Sequence, residues 1–448
     1  MKDIPLFSSK TQNKIAKQVF LGFVIAIILG SLLLMIPKMT QSGRISYIDA
    51  LFTSTSAVCV TGLIVQSTPT YFTDLGKIVI LILIQIGGLG IMTIGSIFGL
   101  ILGRKIHIRD KFYINTSFGS KQPFSASKFF IVIAGTTFTI EFIGFIIMTL
   151  IFYFKHAFPF KTSMTFSLFH TISAFNNAGF SLLSNSFESF SSDIPLNLIL
   201  MALIVLGGIG FPVISEIITF RRIRHFSLHA KVVMTATAIL ILIGAIMFFT
   251  LEFNNPESIA NVPLSTKILA SFFQSITART AGFNTMKISM LNPATIFILI
   301  LLMFIGASPG GTGGGIKTTT FAAVAASGLS SIRGRSEVTL FKRKLPSSVV
   351  HRALIVTIVA AVLVIISTIG ILAFEKYSLK EVLFEVVSAF GTVGLSTGIT
   401  PQLSLASKII LILTMFIGRI GIITLSLAIA IRGIVNKIAY PEETITIG

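Results

Sequence analysis

Apolar residues along this chain fall into long and short runs that are separated by polar, charged breaks. Runs of about 18 residues or more are typical of helices that cross a bilayer, whose hydrocarbon core is about 30 Å thick. Each pair of long runs encloses a shorter run, which at ~1.5 Å per residue covers roughly half of that thickness. The order long, short, long occurs four times, in residues 19–36, 47–57 and 75–102; 127–154, 162–174 and 194–220; 231–251, 264–277 and 292–328; and 350–374, 378–389 and 405–431.

A short run cannot cross the bilayer, so it must enter and return on the same side. Returning backbone that is not helical is tolerated at membrane depth only where it lines a water-filled cavity or is buried in protein. The pattern therefore predicts an all-α polytopic membrane protein built from four helix–pore-loop–helix repeats. The predicted repeats cover residues 18–102, 127–220, 231–328 and 350–431, and a C-terminal tail covers residues 432–448.

Each short run ends in a loop of small residues that closes with glycine followed by Leu or Phe. The fourth loop, Gly391-Thr392-Val393-Gly394, resembles the Thr-Val-Gly filter of potassium channels, whose backbone carbonyls replace the water around the ion. Small residues suit this chemistry because the carbonyls must approach a bare cation, and glycine allows backbone angles that side chains forbid. The predicted carbonyl lining is Cys59, Val60, Thr61, Gly62, Asn176, Asn177, Ala178, Gly179, Arg279, Thr280, Ala281, Gly282, Gly391, Thr392, Val393 and Gly394.

The recurrence of this loop decides between two interpretations. One copy alone is equally typical of a tight turn between helices. In three of the four copies a serine lies six residues before the final glycine, and a second glycine motif follows each loop at a similar distance. Four matched copies predict one central pore with four walls in a pseudo-fourfold arrangement, as in a potassium channel.

Composition and charge support a membrane protein. The 448 residues are 53% hydrophobic and only 11% charged, whereas a soluble domain has about 25% charged residues. The net charge of +19 first suggests nucleic acid, but the basic residues cluster near the N-terminus and between the repeats. Such clusters mark the cytoplasmic side, so both termini are predicted inside, the filters face outward, and no nucleic-acid partner is expected. The single cysteine, Cys59, excludes an internal disulfide and a cysteine-based metal site.

A glycine-rich stretch with a proline interrupts the second crossing segment of the third repeat, and such a stretch cannot stay helical. It is no phosphate-binding loop, because Gly315-Ile316-Lys317 breaks the required Gly-Lys-Ser/Thr pattern. We expect a loop that lies in the pore below the filter and acts as a gate; a plain helix kink is the alternative. The predicted gate residues are Gly306, Ala307, Ser308, Pro309, Gly310, Gly311, Thr312, Gly313, Gly314, Gly315, Ile316, Lys317 and Arg419.

Two arginines lie within the apolar segments. Burying an arginine at mid-bilayer costs about 2.5–3.5 kcal/mol or more, so such residues usually face a cavity and find partners. We expect Arg419 to donate to carbonyls of the gate loop; the alternative is that it reaches the inner interface. Arg279 lies inside the third filter, where we expect it to point backward and pair with Glu381 or Glu385. No His/Glu cluster, nucleophile triad or metal-ligand spacing predicts an enzyme.

With four repeats, single filter glycines, a broken helix in the third repeat and Arg419, the chain resembles the Trk/Ktr/HKT superfamily of cation transporters over residues 19–431. It is most similar to the membrane subunits of bacterial Ktr potassium-uptake systems. The resemblance implies potassium as substrate, sodium as a coupling or activating ion, and no covalently bound cofactor. Superfamily members with serine in the first filter favour sodium, so Gly62 favours potassium.

The resemblance also implies an assembly. It implies a homodimer in the cell membrane with one pore per subunit, and a cytosolic ring of regulatory subunits that bind ATP or ADP. Residues 440–448 are expected to help the dimer contact. Two alternatives remain open at this point: a sodium-selective or non-selective cation transporter of the same superfamily, and a membrane receptor or scaffold that carries no ion.

Overall fold

The computed structural model describes residues 9–90 and 126–421, which are mainly helical. The first unit contains α1 (Ser9–Leu34), α2 (Tyr47–Val58), α3 (Thr68–Tyr71) and α4 (Asp74–Leu89). The second contains α5 (Ala126–Leu150) with a π-helical extension (Ile151–Lys155), α6 (Phe160–Phe175), α7 (Ile194–Ile209) and α8 (Phe211–Ile223). The third contains α9 (Leu228–Glu252), α10 (Leu264–Thr277), α11 (Pro293–Phe304) and α12 (Thr318–Ile332), and the fourth contains α13 (Ser347–Leu372), α14 (Leu379–Gly391) and α15 (Leu405–Ile420).

Smaller elements join these helices. Short 3-10 turns lie at Pro37–Met39, Glu188–Phe190, Ile288–Met290 and Thr400–Gln402. Between the third and fourth units, strands β1 (Thr339–Leu340) and β2 (Arg343–Lys344) pair antiparallel in a small hairpin, which the sequence did not predict. The predicted ends of the first repeat at 91–102 and of the fourth repeat at 422–431, and the predicted C-terminal tail at 432–448, lie outside the described residues.

One long helix begins each unit, and these helices have the length and apolarity of membrane spans. Within the described part of the chain, four helices meet this test: Ala16–Leu34, Val132–Lys155, Leu228–Glu252 and Ser347–Leu372. Their outward faces carry large apolar side chains that are more than half exposed, such as Leu21, Phe142 and Ile366. Apolar faces of this kind need lipid around them, so the chain is a multi-pass membrane protein.

The second long segment of the second unit differs from the sequence prediction. Residues 194–220 were expected to form one crossing helix, but α7 and α8 meet at a bend of 105°. The reason is Gly210, whose φ of 91° is incompatible with a continuing helix. In the same way α4 ends before Gly90 with φ 82°, and α15 ends before Gly421 with φ 85°. The break predicted for the third unit alone therefore has a counterpart in the second unit, and in the first and fourth units a helix likewise ends at a glycine with positive φ.

Polar side chains cap the short helices α2 and α14 and the longer helix α7. The Ser46 hydroxyl accepts from the Asp49 N–H at the start of α2, and Ser378 and Glu381 form a reciprocal capping box at the start of α14. In the second unit, Asp193 caps α7 and binds Lys155 Nζ at 2.8 Å. Burial raises the pKa of Asp193, but hydrogen bonds from Lys155, the Leu196 N–H and His156 outweigh it, so that the pKa lies below its usual range.

Close helix contacts place the short helices at the centre of the molecule. A methyl group on Gly30 of α1 would lie 2.4 Å from the Ser54 hydroxyl of α2, and one on Gly244 of α9 would lie 2.4 Å from the Ser275 hydroxyl of α10. Ser54 and Ser275 in turn donate to carbonyls of α1 and α9 at 2.7 and 2.8 Å. The short helices α2 and α10 are thereby held against the long helices that precede them.

Candidate functional site

The four loops that follow α2, α6, α10 and α14 have positive φ at the same two positions. The residue two positions before each filter glycine has a positive φ, in the order Val60 50°, Asn177 55°, Thr280 75° and Thr392 50°. The glycines themselves have φ values of 89° at Gly62, 69° at Gly179, 77° at Gly282 and 93° at Gly394. A positive φ at a β-branched residue is rare and persists only where the surrounding structure imposes it, commonly at functional sites. The four loops are thus built alike although their sequences differ.

These loops meet around a common centre, where each filter glycine touches the next. A Cβ atom built on each filter glycine would fall within 3 Å of a carbonyl oxygen in the next loop, the oxygen of the residue just before that loop's filter glycine. The distances are 2.5 Å from Gly62 to Ala178, 2.9 Å from Gly179 to Ala281, 2.3 Å from Gly282 to Val393 and 2.2 Å from Gly394 to Thr61. The fourth contact returns to the first loop, so the glycines form a closed ring. We call this set the filter ring: Gly62, Gly179, Gly282 and Gly394.

Hydrogen bonds fold each loop back on its own helix. In three loops, the carbonyl of the serine six residues before the filter glycine accepts from the N–H of the residue just before that glycine. The pairs are Ser56–Thr61 at 2.7 Å, Ser173–Ala178 at 2.7 Å and Ser388–Val393 at 2.8 Å. The third loop uses Thr277, five residues before Gly282 rather than six, and its carbonyl accepts from Ala281 at 2.9 Å. The serine that the sequence pattern lacked in the third repeat is therefore replaced by a threonine in a loop one residue shorter.

The second glycine motif of the first, second and fourth repeats brings α4, α7 and α15 against the ends of the short helices. A Cβ atom would lie 2.0 Å from the Val58 carbonyl oxygen if built on Gly87, 1.8 Å from that of Phe175 if built on Gly207, and 2.0 Å from that of Phe390 if built on Gly418. Each of these oxygens belongs to the last turn of a short helix. Glycine is required here because a side chain would force the two helices apart.

The glycine-rich stretch of the third repeat forms a non-helical loop between α11 and α12, in contact with the filter loops and with α7. The Gly314 N–H donates to the Thr392 hydroxyl at 2.7 Å, and a Cβ atom on Gly313 would lie 2.0 Å from the Thr280 hydroxyl. Two further N–H groups of the loop donate to carbonyls at the end of α7, from Ser308 to Gly208 at 2.9 Å and from Thr312 to Gly207 at 3.1 Å. The loop therefore packs directly against three of the four units.

Arg419 connects this loop to the first unit. From α15, its guanidinium donates to the Thr312 carbonyl in the loop and to the Gly87 carbonyl in α4. Arginine suits this position because its planar fork presents several donors at once. Lys317, at the far end of the loop, donates to the Gly313 carbonyl at 2.7 Å. Two basic side chains thus bind the loop backbone, and through Arg419 the loop is joined to all four units.

The predicted ion pair of Arg279 was wrong. Among the described residues Arg279 forms no ion pair with Glu381 or Glu385, and its Nε has no hydrogen-bond partner although the residue is only 7% exposed. The reason is that both acids bind donors of their own unit: Glu381 accepts from the N–H and hydroxyl of Ser378 at 3.0 and 2.7 Å, and Glu385 accepts from residues that follow Gly394.

A polar cluster that the sequence analysis missed lies behind the second filter loop. The Asn176 amide donates to the Glu141 carboxylate and to the Gln85 carbonyl oxygen, both at 3.0 Å. Gln85 also donates to Glu141 at 3.3 Å, so three side chains from α4, α5 and the loop hold one another. The available signal was Glu141 itself, an acid within a membrane span, which is a candidate functional residue by position alone.

Comparisons with known proteins agree on one family. Residues 2–437 match a family model described as TrkH, cation transport protein. The chain is 38% identical to the Ktr system potassium uptake protein B of Bacillus subtilis, covering 96% of this chain and 95% of the relative. It is 34% identical to the potassium/sodium uptake protein NtpJ of Enterococcus hirae, covering 95% and 96%. In fold it matches the crystal structure of the potassium transporter TrkH from Vibrio parahaemolyticus, with a TM-score of 0.70, 21% identity, and coverage of 96% and 86%.

Proposed function

The chain belongs to the TrkH family of cation transport proteins, which are transporters rather than enzymes, and on that premise we propose that it carries potassium into the cell through the filter ring. The single observation that carries this proposal is the closed contact of the four filter glycines. Four loops with positive φ at the same two positions around a common centre are what a pore with a fourfold selectivity filter requires. A receptor or scaffold without ion flux would need no such ring.

The chemistry of the ring suits a cation that must shed its water. In this proposal, backbone carbonyls of the four filter loops replace the hydration shell of potassium, as carbonyls do in potassium channels. The four short helices end at the loops, and each helix C-terminus carries roughly −0.5 elementary charge. These ends favour a cation at the centre of the membrane without a fixed carboxylate beside it. The proposed lining remains the set of carbonyls from Cys59, Asn176, Arg279 and Gly391 to the following filter glycines.

The loop at residues 306–317 is proposed as the gate. Its contacts with Thr280 and Thr392, two residues before the filter glycines, support a position on the inner side of the ring. The positive-inside distribution of lysine and arginine supports filters that face outward and termini in the cytoplasm of a cell-membrane protein. An ion that leaves the filter would then meet the loop and the charges of Arg419 and Lys317 before it reaches the cytoplasm.

The relatives support further proposals on the assembly. One relative is named as protein B of a Ktr system, which supports a partner for this chain, and another is named for potassium and sodium uptake. We therefore extend the proposal to a homodimer, to a cytosolic regulatory subunit that binds ATP or ADP, and to sodium as a coupling or activating ion. The test is potassium uptake measured with and without sodium, and with and without that subunit; a flux that is the same in all four conditions contradicts the extension.

Growth rescue tests the main proposal. Expression of the full chain in cells that lack potassium uptake is expected to restore growth on low potassium, together with its partner subunit where the chain alone does not suffice. A sodium-selective relative would instead raise sodium uptake without rescue. A chain that reaches the membrane and carries neither ion would contradict the proposal and favour a scaffold.

Gly62→Ser is expected to weaken the preference for potassium over sodium by about tenfold, a loss of roughly 1.4 kcal/mol of discrimination. The added Cβ would lie 2.5 Å from the Ala178 carbonyl oxygen and must displace it from the ring. The measurement is uptake of rubidium and of sodium tracers at equal membrane abundance. An unchanged potassium affinity in this variant would count against the filter assignment.

A further inference from the structure

A buried acid braces the chain just beyond the fourth filter glycine. Glu385 of α14 is 1% exposed and lies nine residues before Gly394. Its carboxylate accepts four hydrogen bonds from the segment after the filter: from Ser396 Oγ at 2.8 Å, from Thr397 N–H at 2.8 Å, from Thr397 Oγ1 at 2.9 Å and from Thr400 Oγ1 at 2.7 Å. Because Thr397 N–H can only donate, the carboxyl oxygen must act as its acceptor. These hydrogen bonds hold the outer end of the fourth filter loop against its own helix. We call the bonds from such a helix residue to the segment after the filter glycine the outer brace.

His170 takes the same place in the second unit, nine residues before Gly179. Its Nδ1 lies 2.7 Å from the Phe166 carbonyl, which can only accept, so Nδ1 carries the proton. Its Nε2 therefore accepts, from the Leu182 N–H at 3.2 Å and from the Ser181 hydroxyl at 3.0 Å. Ser181 and Leu182 correspond to Ser396 and Thr397, two and three residues beyond the filter glycine. The histidine and the glutamate thus bind the same two chain positions in two units that face each other across the ring.

The other two units carry weaker versions of this brace. In the third unit, whose loop is one residue shorter, Gln274 corresponds to His170 and reaches the Thr285 hydroxyl at 3.4 Å. In the first unit Thr53 occupies the position, and within the described residues its hydroxyl has no partner. Instead, Gln66 beyond the first filter donates to Asp49 at 3.3 Å. The strength of the brace thus falls from the fourth unit through the second and third to the first.

We propose that Glu385 and His170 are positioning residues that hold the outer half of the filter and so set its discrimination between potassium and sodium. The loop is fixed on its inner side by the bond from Val393 to Ser388, and on its outer side by the brace. The filter carbonyl at Gly394 lies between these two fixed points, and the same holds at Gly179. Without the outer brace, the loop can adapt its carbonyls to a smaller ion. This inference rests on the proposed function, because it concerns the same filter.

The test uses the full chain with two variants that approach the brace from opposite ends. Glu385→Gln keeps the shape but exchanges an acceptor oxygen for a donor amide, and Ser396→Ala removes one donor. Potassium and sodium uptake are measured with tracers in membrane vesicles at equal protein abundance. We expect Glu385→Gln to lower the ratio of potassium to sodium uptake about tenfold, the effect of losing a hydrogen bond to a charged group. Ser396→Ala should shift the ratio in the same direction by less, about threefold, because Glu385 keeps the hydrogen bonds from Thr397 and Thr400.

Glu381→Gln is the matched control, because it makes the same change one helical turn earlier. Glu381 caps α14 through Ser378 and, among the described residues, forms no hydrogen bond with the segment after the filter. Glutamine serves as well in a capping box. Its uptake ratio should equal that of the wild type. If Glu385→Gln and Ser396→Ala both keep the wild-type ratio, the inference is overturned while potassium uptake itself still supports the proposed function. If the wild type carries no potassium, the proposed function fails first.

Discussion

Gly394→Ala is expected to reduce potassium uptake by at least ~100-fold while the protein still inserts in the membrane, a change of roughly 2.7 kcal/mol in the rate barrier. The new Cβ would lie 2.2 Å from the Thr61 carbonyl oxygen, on backbone with a φ of 93°. No flexible side chain lies between them, so the first filter loop must move. The measurement is rubidium uptake in cells without other potassium transporters, normalised to membrane abundance.

The distances also predict an order among the four positions. The added Cβ meets a carbonyl at 2.2 Å from Gly394, 2.3 Å from Gly282, 2.5 Å from Gly62 and 2.9 Å from Gly179. Alanine should therefore be least harmful at Gly179. The control is Gly43→Ala, which has a φ of 71° but nothing within 4 Å of the added atom, and so isolates backbone strain. A variant series in which Gly179→Ala is the most harmful, or Gly394→Ala behaves like Gly43→Ala, would contradict the ring as the path of the ion.

The family and the membrane class could be predicted from the sequence because both depend on local patterns. Long runs of apolar residues indicate helices that lie in lipid. The resemblance to the Trk/Ktr/HKT superfamily is confirmed by the family match over residues 2–437. The positions of tight turns and close contacts could also be predicted, because glycine is typical of backbone that must bend or approach another chain segment. The repeat boundaries and the roles of the filter and gate residues stay predictions.

Other features could not be predicted because they depend on partners distant in the chain. The bend at Gly210 was missed since a Gly-Gly-Ile-Gly motif in an apolar run is equally compatible with a straight, closely packed helix. The predicted ion pair of Arg279 was wrong because charge alone does not show which hydrogen bonds an acid already accepts. The Glu385 carboxylate already accepts hydrogen bonds from Ser396, Thr397 and Thr400. The shorter third loop, with Thr277 in place of the serine, became visible only through its hydrogen bonds.

The four units are similar in backbone but not in chemistry. Each filter loop has the same two positive-φ residues, yet the side chains that support the loops differ from unit to unit. Among the described residues, the loop proposed as the gate belongs to the third unit, and the fourth unit supplies Arg419 and the hydrogen bonds of Glu385. Under the proposed function, a pore of four identical subunits could not divide these roles in this way.

Arg419→Gln is expected to raise potassium flux about tenfold and to weaken the control of that flux by a regulatory partner. Hydrogen bonds to a charged group contribute about 1.5–3 kcal/mol each, and the guanidinium donates to the Thr312 and Gly87 carbonyls. Without these bonds the gate loop keeps its contacts with α7 and Thr392 but loses its link to the first unit. The loop should then leave the path more often, and a positive charge beside the path is removed as well. The measurement is rubidium uptake as a function of external potassium.

Arg419→Lys separates the two causes, because lysine keeps the charge but lacks the planar fork that reaches two carbonyls at once. If the tether matters, Arg419→Lys should be as leaky as Arg419→Gln. If the charge is the barrier, Arg419→Lys should restore the low flux of the wild type. The tether is the expected answer, since the carbonyls that Arg419 joins belong to different units and a single ammonium cannot replace that link. Wild-type flux and affinity in both variants would remove Arg419 from the gate.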